Sequence, residues 1–301
     1  MKRVVLSIFL TAVVALSWAV PGECASALKK TVAVFEFQND SGYTSMANLG
    51  QDFSIQLSDA LLQSGKFIVL SRKDLDAVMA EQDLAQSGRF AKSKTAQVGK
   101  IVPAQILIKG QITEFQENTS GGGQGLSISG FSIGLKKSTA HIAVIVQLID
   151  STTGEILDSQ RVEGEARAGG VSLGYSGRFD INSSSFKETP LGKAAQMTID
   201  RAVDYISKKL SGVSWQGKVV LIKEGLVYIN SGANTGVKSG DVFSVYREGE
   251  ALIDPDTGMN LGSESDKIGE IKVTEVEEKF AKAKINGPVS QEIEKGDLIL
   301  E

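Results

Sequence analysis

The stretches Gln105–Phe115 (QILIKGQITEF), Asn118–Ser138 (NTSGGGQGLSISGFSIGLKKS), Ala140–Asp150 (AHIAVIVQLID) and Glu155–Glu165 (EILDSQRVEGE) decide how this chain is read. The first, third and fourth carry the β-branched residues that suit a pleated surface, and they are predicted to be neighbours in one sheet. Two low-charge, Gly/Ser-rich insertions interrupt or follow them, at 118–138 and 166–188. Connections in compact domains run to about 4–6 residues, and structureless loops beyond about 12–15 are usually functional or disordered. Both insertions exceed that limit.

In the second insertion Val171, Leu173, Tyr175, Phe179 and Ile181 fall on odd positions, while Ser172, Gly174, Ser176, Arg178 and Asp180 fall on even ones, with Gly177 as the gap. A strand that crosses a bilayer needs about 9–11 residues, apolar toward lipid and polar toward a lumen, and this alternation matches. In the first insertion Leu126 and Ile128 share one phase and Phe131, Ile133 and Leu135 the other. The phase breaks at Gly130, where a bulge or turn would fit. The competing reading of the same residues is a pair of hairpin-like surface loops.

Working outward, Met1–Val20 places Lys2 and Arg3 before an apolar run, and Ala25-Ser26-Ala27 follows, which reads as a secretory signal peptide over 1–27. Cleavage there would remove two bases and one acid, moving the formal charge from −4 to −5. Cys24 is the one cysteine; Pro21-Gly22-Glu23 before it sets a bulky charge where a lipid-anchor site wants a small residue. If Cys24 is removed, there is no disulfide, thiol nucleophile or cysteine metal site. No apolar run of about 18 residues follows the signal, so any spanning must use strands.

The expected fold class is α/β: a periplasmic α/β sandwich domain over 28–210 with β-hairpin insertions, a linker over 211–217, and a small all-β, barrel-like domain over 218–301. Lys30–Gln38 reads as a buried strand ended by a turn at Asn39–Gly42. Leu49, Phe53, Leu57 and Leu61 recur at helical spacing within 48–64, and Gly65 stops the helix. Phe67–Leu70 is predicted as a strand, with Ser71 capping a helix over 72–86 and a short helical piece at 95–100. Thr189-Pro190 opens a helix whose apolar face runs from Leu191 to Leu210, with Lys208 and Lys209 suiting its C-terminal dipole. Beyond the linker, short strands alternate with turns such as Asp254–Gly258.

Chemistry-bearing constellations are sparse. His141, the one histidine, lies within an apolar strand and reads as structural, leaving nothing from which to build a triad or a histidine metal cluster. Gly121–Gly125 lacks the Gly-Lys-Ser/Thr ending of a phosphate loop and reads as a hairpin tip. Asp254, Asp256 and Asn260 resemble part of a calcium loop, yet Gly258 sits where an oxygen ligand is needed, so a β-turn is expected. The acidic balance without long basic runs argues against nucleic acid as a partner. No catalytic residue, cofactor or metal is therefore expected, and no enzyme.

KTVAVFEFQNDSG (Lys30–Gly42), LSDALLQSGKFIVLSRKDLDAVMAEQ (Leu57–Gln82), AQILIKGQITEF (Ala104–Phe115) and VQLIDSTTGEILDSQRVEGEA (Val146–Ala166) resemble the CsgG family, the outer-membrane channel that exports curli subunits. The resemblance covers about 30–210. It implies a periplasmic α/β domain assembled as a homo-oligomeric ring, with each subunit lending two hairpins, located where the insertions lie, to one shared transmembrane barrel. The membrane hairpin residues would then be Leu126, Ile128, Phe131, Ile133, Leu135, Val171, Leu173, Tyr175, Phe179 and Ile181. It also implies an exported protein substrate, periplasmic accessory proteins and the outer membrane as partners. The family's constriction loop has no residue-by-residue counterpart here, and its channel lacks a C-terminal β-module. That module resembles the FlgT C-terminal domain, through VYINSGANTGVKSGDVFSVYREGE (Val227–Glu250) and DPDTGMNLG (Asp254–Gly262). This leaves a second expectation: a soluble periplasmic scaffold that binds envelope or flagellar-type partners and keeps its insertions as loops.

Overall fold

The computed structural model describes residues 28–44, 48–86, 102–121, 126–128, 131–133, 136–170, 184–256, 258 and 260–301. Its first body contains strands β1 (Lys30–Val34), β2 (Gln38–Asn39) and β3 (Phe67–Leu70), then β4 (Ile106–Gly121), the short pair β5 (Leu126–Ile128) and β6 (Phe131–Ile133), β7 (Lys136–Asp150) and β8 (Ile156–Gly170). Helices α1 (Leu49–Gln63), α2 (Leu75–Gln86), α3 (Ser184–Glu188) and α4 (Pro190–Leu210) complete it. The main sheet runs β3-β1-β4-β7-β8, with β2 also pairing β4. β3, β1 and β4 are parallel, whereas β4, β7 and β8 are antiparallel.

One face of the sheet is closed by α1 and α4. Leu49, Phe53, Leu57 and Leu61 of α1 are buried at a spacing of four, and Gly65, at φ 68°, takes the left-handed conformation that ends the segment. α4 begins where Thr189 Oγ1 accepts the Gly192 N–H at 3.0 Å, with Pro190 opening the first turn. Its buried face, including Ala194, Ala195, Ile199, Ala202 and Ile206, meets Ile142, Val144, Val146 and Val162 of the sheet in a single core. Small side chains let the helix sit close: a Cβ on Gly164 of β8 would come within 2.2 Å of the Ala194 carbonyl oxygen.

Several boundaries differ from the sequence reading. β1 stops at Val34 and pairing resumes only at Gln38, and α2 begins at Leu75 rather than Arg72. β4 runs on to Gly121, β7 starts at Lys136 and β8 continues to Gly170, so both ends of the first insertion and the start of the second are strand. These added residues carry little hydrophobic pattern; pairing with a neighbour, not burial, makes them extended. The end of the second insertion, Ser184–Glu188, is helical, and Phe186 from it is buried in the core. The helical piece at 95–100 lies outside the described residues.

The second body is a closed six-stranded barrel, β10-β13-β12-β11-β14-β9, built from β9 (Gln216–Lys223), β10 (Leu226–Ile229), β11 (Val242–Ile253), β12 (Asn260–Val276), β13 (Ala281–Ile285) and β14 (Leu298–Leu300). Val219, Val245, Ile271 and Ile299 fill it, with the Trp215 and Phe243 rings 5.4 Å apart. β11 and β12 outrun their partners and pair as far as Ile253 and Asn260, forming a ribbon that carries the exposed Leu252 and Ile253. Arg247 fastens the ribbon's root, donating to both carboxylate oxygens of Asp297 at 2.8 and 2.9 Å. At Asp254–Gly258 the Asp254 side chain accepts the Asp256 N–H and its carbonyl accepts the Gly258 N–H, both at 2.8 Å, which closes a turn.

The two bodies are stitched at the N-terminal side. Leu28 is buried in the barrel core, the Lys29 N–H donates to the Thr235 carbonyl at 2.8 Å, and Gln105 Nε2 donates to the Gln216 carbonyl at 3.1 Å.

Candidate functional site

The feature that sets this molecule apart from a plain α/β sandwich is the outward run of β4, β7 and β8. The last rung with buried side chains on both strands pairs Phe115 with Ile142. Beyond it β4 continues through Gln116, Glu117, Asn118, Thr119, Ser120 and Gly121, in unbroken register with His141 down to Lys136. At about 3.4 Å per residue those six residues carry the strand about 20 Å past that rung, the small Ala140 and Ala166 being the last buried side chains along it. β8 follows β7 along the same distance, from Glu165 opposite His141 to Gly170 opposite Lys136.

β5 and β6 then form a separate antiparallel pair in which Leu126 opposes Ile133, Ser127 opposes Ser132, and Ile128 opposes Phe131. Directly opposed residues in an antiparallel ladder stand on the same face. Positions 126, 128, 131 and 133 therefore share one face, and the phase break in the sequence is the reversal that hairpin pairing demands. Leu135, Val171, Leu173, Tyr175, Phe179 and Ile181 lie outside the described residues, so only four of the ten sequence-singled positions are brought together.

At the root of the extension, on the sheet face away from the helices, sits an ionic cluster that composition did not flag. Arg161 Nη2 and Nε lie 2.6 Å from Glu114 Oε1 and Glu163 Oε1 respectively. His141 Nε2 is 3.1 Å from the second Glu114 oxygen. A bulge at Thr113 makes the cluster: pairing shifts between Ile112 and Glu114, which turns Glu114 toward Arg161, and Arg161 Nη1 also donates to Thr113 Oγ1 at 3.2 Å. Donating hydrogen bonds to Glu163 and then to Glu114 raises the Arg161 pKa, and accepting the Arg161 hydrogen bond holds the Glu163 carboxyl below the usual carboxylate range. Arg201 of α4 reaches round the edge to donate to the Glu163 carbonyl at 2.6 Å. The alternation of Arg161, Glu163 and Glu165 was the sequence signal for a polar strand face; the bulge that completes it carries no signature.

This arrangement pins the base of three long strands and offers no nucleophile paired with a base. Among the described residues no group of His, Cys, Asp or Glu is placed to hold a metal ion. No helix among them is long and apolar enough to cross a membrane, which does not bear on strands. β8 is an edge strand among the described residues, so a 15-residue row of backbone groups from Ile156 to Gly170 is open on one side.

Residues 21–233 match the family model described as curli production assembly/transport component CsgG, and residues 224–301 match the flagellar assembly protein T C-terminal domain. The curli production assembly/transport components CsgG of Salmonella typhimurium and of Escherichia coli are each 25% identical over 139 residues, covering 42% of this chain and 50% of theirs. The chain thus matches about half the length of these curated relatives. Among solved structures, a hypothetical protein from Chlamydia trachomatis is 17% identical with a TM-score of 0.39, covering 60% of this chain and 98% of that one. A PelC dodecamer from Paraburkholderia phytofirmans is 14% identical with a TM-score of 0.29, covering 62% and 90%.

Proposed function

The chain belongs to the CsgG family, and from that premise we propose that it is a component of an outer-membrane secretion and assembly system, whose subunits close into a ring that exports an extracellular protein polymer of the curli-subunit kind. The observation that carries this reading is the projection of β4, β7 and β8 beyond the core, followed by a hairpin that gathers Leu126, Ile128, Phe131 and Ile133 on one face. A single subunit would leave the edge of β8 unpaired, and an unpaired backbone group in lipid costs several kcal/mol. Closing many subunits into one barrel satisfies every edge, so assembly and insertion become one event. The second insertion, with Val171, Leu173, Tyr175, Phe179 and Ile181, would supply the next strand. Export through such a ring is conduction of an unfolded chain, with no covalent step for side chains to catalyse.

A soluble periplasmic scaffold is the second reading, favoured by the exposed β11–β12 ribbon of a barrel that matches a flagellar assembly domain. Carbonate extraction of isolated outer membranes, followed by sizing in detergent, separates the two. The ring reading expects resistance to carbonate and a large homo-oligomer; release as a monomer or small oligomer would leave the scaffold.

A further inference from the structure

A cavity of about 500 Å³ opens where the first body meets the barrel, between β1, the turn from α1 into β3, and the last turns of α4. Lys29, Lys30, Lys66 and Lys208 line it, against a single lining carboxylate, Asp204. Among the described residues none of the four lysines has a carboxylate within ion-pair distance, whereas the neighbouring Lys209 is satisfied by Asp158 at 2.9 Å. Lys30 is the unusual member. It is only 9% exposed, because strand alternation turns it to the same side as the buried Val32 and Val34. Burial pushes its ammonium below the ordinary lysine range, opposed by the charge of Glu301 at the end of the barrel. Ser207 Oγ, also in the lining, is buried and has no hydrogen-bond partner among the described residues.

The Lys30 stem is buried while its ammonium, without a carboxylate partner among the described residues, faces the cavity, and a buried hydroxyl without a partner is costly and rare in natural interiors. Lys208 has an ordinary explanation at the C-terminal end of α4, where a cation complements the helix dipole. That explanation does not extend to Lys30, Lys66 or Ser207, which come from three different elements and converge on one space. Four lining cations against Asp204, with Glu301 acting on Lys30 from outside the lining, leave a net positive space. Lysine ammoniums are point charges that suit a tetrahedral polyanion, where a planar carboxylate would favour the arginine fork. Leu28, Phe67 and Leu210 give the cavity apolar walls.

We propose that this junction cavity binds a phosphate-class anion, a phosphomonoester or a phospholipid headgroup, with Lys30 as its buried anchor and Ser207 as an added donor. The bound anion would tie the N-terminal strand to the end of α4, beside the points where Leu28 and Trp215 enter the barrel. The site requires neither a ring nor a membrane hairpin, so it stands apart from the export reading.

The test is calorimetric titration of the full mature chain with inorganic phosphate, against chloride at equal ionic strength. Wild-type protein is expected to prefer phosphate, and Lys30→Met to lower that affinity by about tenfold or more, as loss of one charge-assisted hydrogen bond implies. The thermal midpoint of Lys30→Met without phosphate should be unchanged or higher, since a poorly solvated charge has been removed. The exposed pair Lys66→Gln and Lys208→Gln, which leaves the core intact, should weaken binding as well. Competition by phosphatidylglycerol vesicles, but not phosphatidylcholine vesicles, would assign a headgroup; its absence, with phosphate still bound, would assign a soluble phosphate ester. Equal response to phosphate and chloride, or full binding by both variants, would overturn the proposal.

Discussion

The lower and upper halves of β4, β7 and β8 are the same strands in the same register, yet they are held by different forces. Below the Phe115–Ile142 rung, Ile106, Ile108, Ile112, Val144, Val146 and Leu148 are buried beneath α1 and α4. Above it Gln116, Glu117 and Asn118 are exposed, Ala140 and Ala166 are the last buried side chains, and from Asn118 outward the backbone ladder keeps the strand extended. Strand pairing can thus be exported from a core by continuity alone. The lower half anchors the register, and the upper half spends it on reach.

The contrast is sharpest under mutation. Ile142→Ala, at a fully buried position, should cost about 2–5 kcal/mol in chemical denaturation, because the helix-covered sheet cannot collapse onto the void. Gly164→Ala places a Cβ against the Ala194 carbonyl and the Thr198 hydroxyl, and should cost about 1–3 kcal/mol by pushing α4 off β8. A wild-type midpoint for either variant would break the distinction between the two halves.

Acid titration gives a smaller effect from the buried half's rim. The hydrogen bond from Lys209, and after it that from Tyr205, hold the Asp158 carboxyl below its ordinary value of 3.8. A carboxyl depressed in the folded state adds stability above its unfolded pKa, and that stability is lost as pH falls through the folded value. Asp158→Asn should therefore lower the thermal midpoint at neutral pH, with the difference closing well below pH 3.8. A pH-independent difference would mean the pair acts through packing. The smallest effect belongs to the projecting half: Glu117→Ala should change stability by no more than about 0.5 kcal/mol. A large loss there would show that the extension is packed against something other than water.

The same division explains what could be read from residues alone. α4 was legible because a Thr-Pro opening and a long apolar periodicity are written into it, and Phe67–Leu70 was legible as a short apolar run between a glycine and a cap. The grouping of β4, β7 and β8 in one sheet followed from their β-branched content. Their upper ends were not visible, since Gln116–Ser120 is extended only by virtue of its partner strand. Gly130, which lies outside the described residues, marked a phase break without saying what it meant; the pairing of Leu126 with Ile133 shows that the two flanking segments are antiparallel partners. The ionic cluster depended on a one-residue bulge at Thr113, and the burial of Leu28 in the barrel on a contact between distant parts of the chain. Neither leaves a local trace.

On the proposed ring reading, the polar arms lift an apolar hairpin face into lipid. It is tested most directly by placing single cysteines at Ile128 and at Glu117, in a Cys24→Ala background, and labelling each with an environment-sensitive fluorophore. In the assembled oligomer, reconstituted with outer-membrane lipid, the label at 128 should be quenched by lipid-borne nitroxide and shielded from aqueous iodide. The label at 117 should show the opposite. If the label at 128 stays fully accessible to iodide in that same oligomer, the hairpin face is not in lipid, and the account of these strands as membrane arms fails.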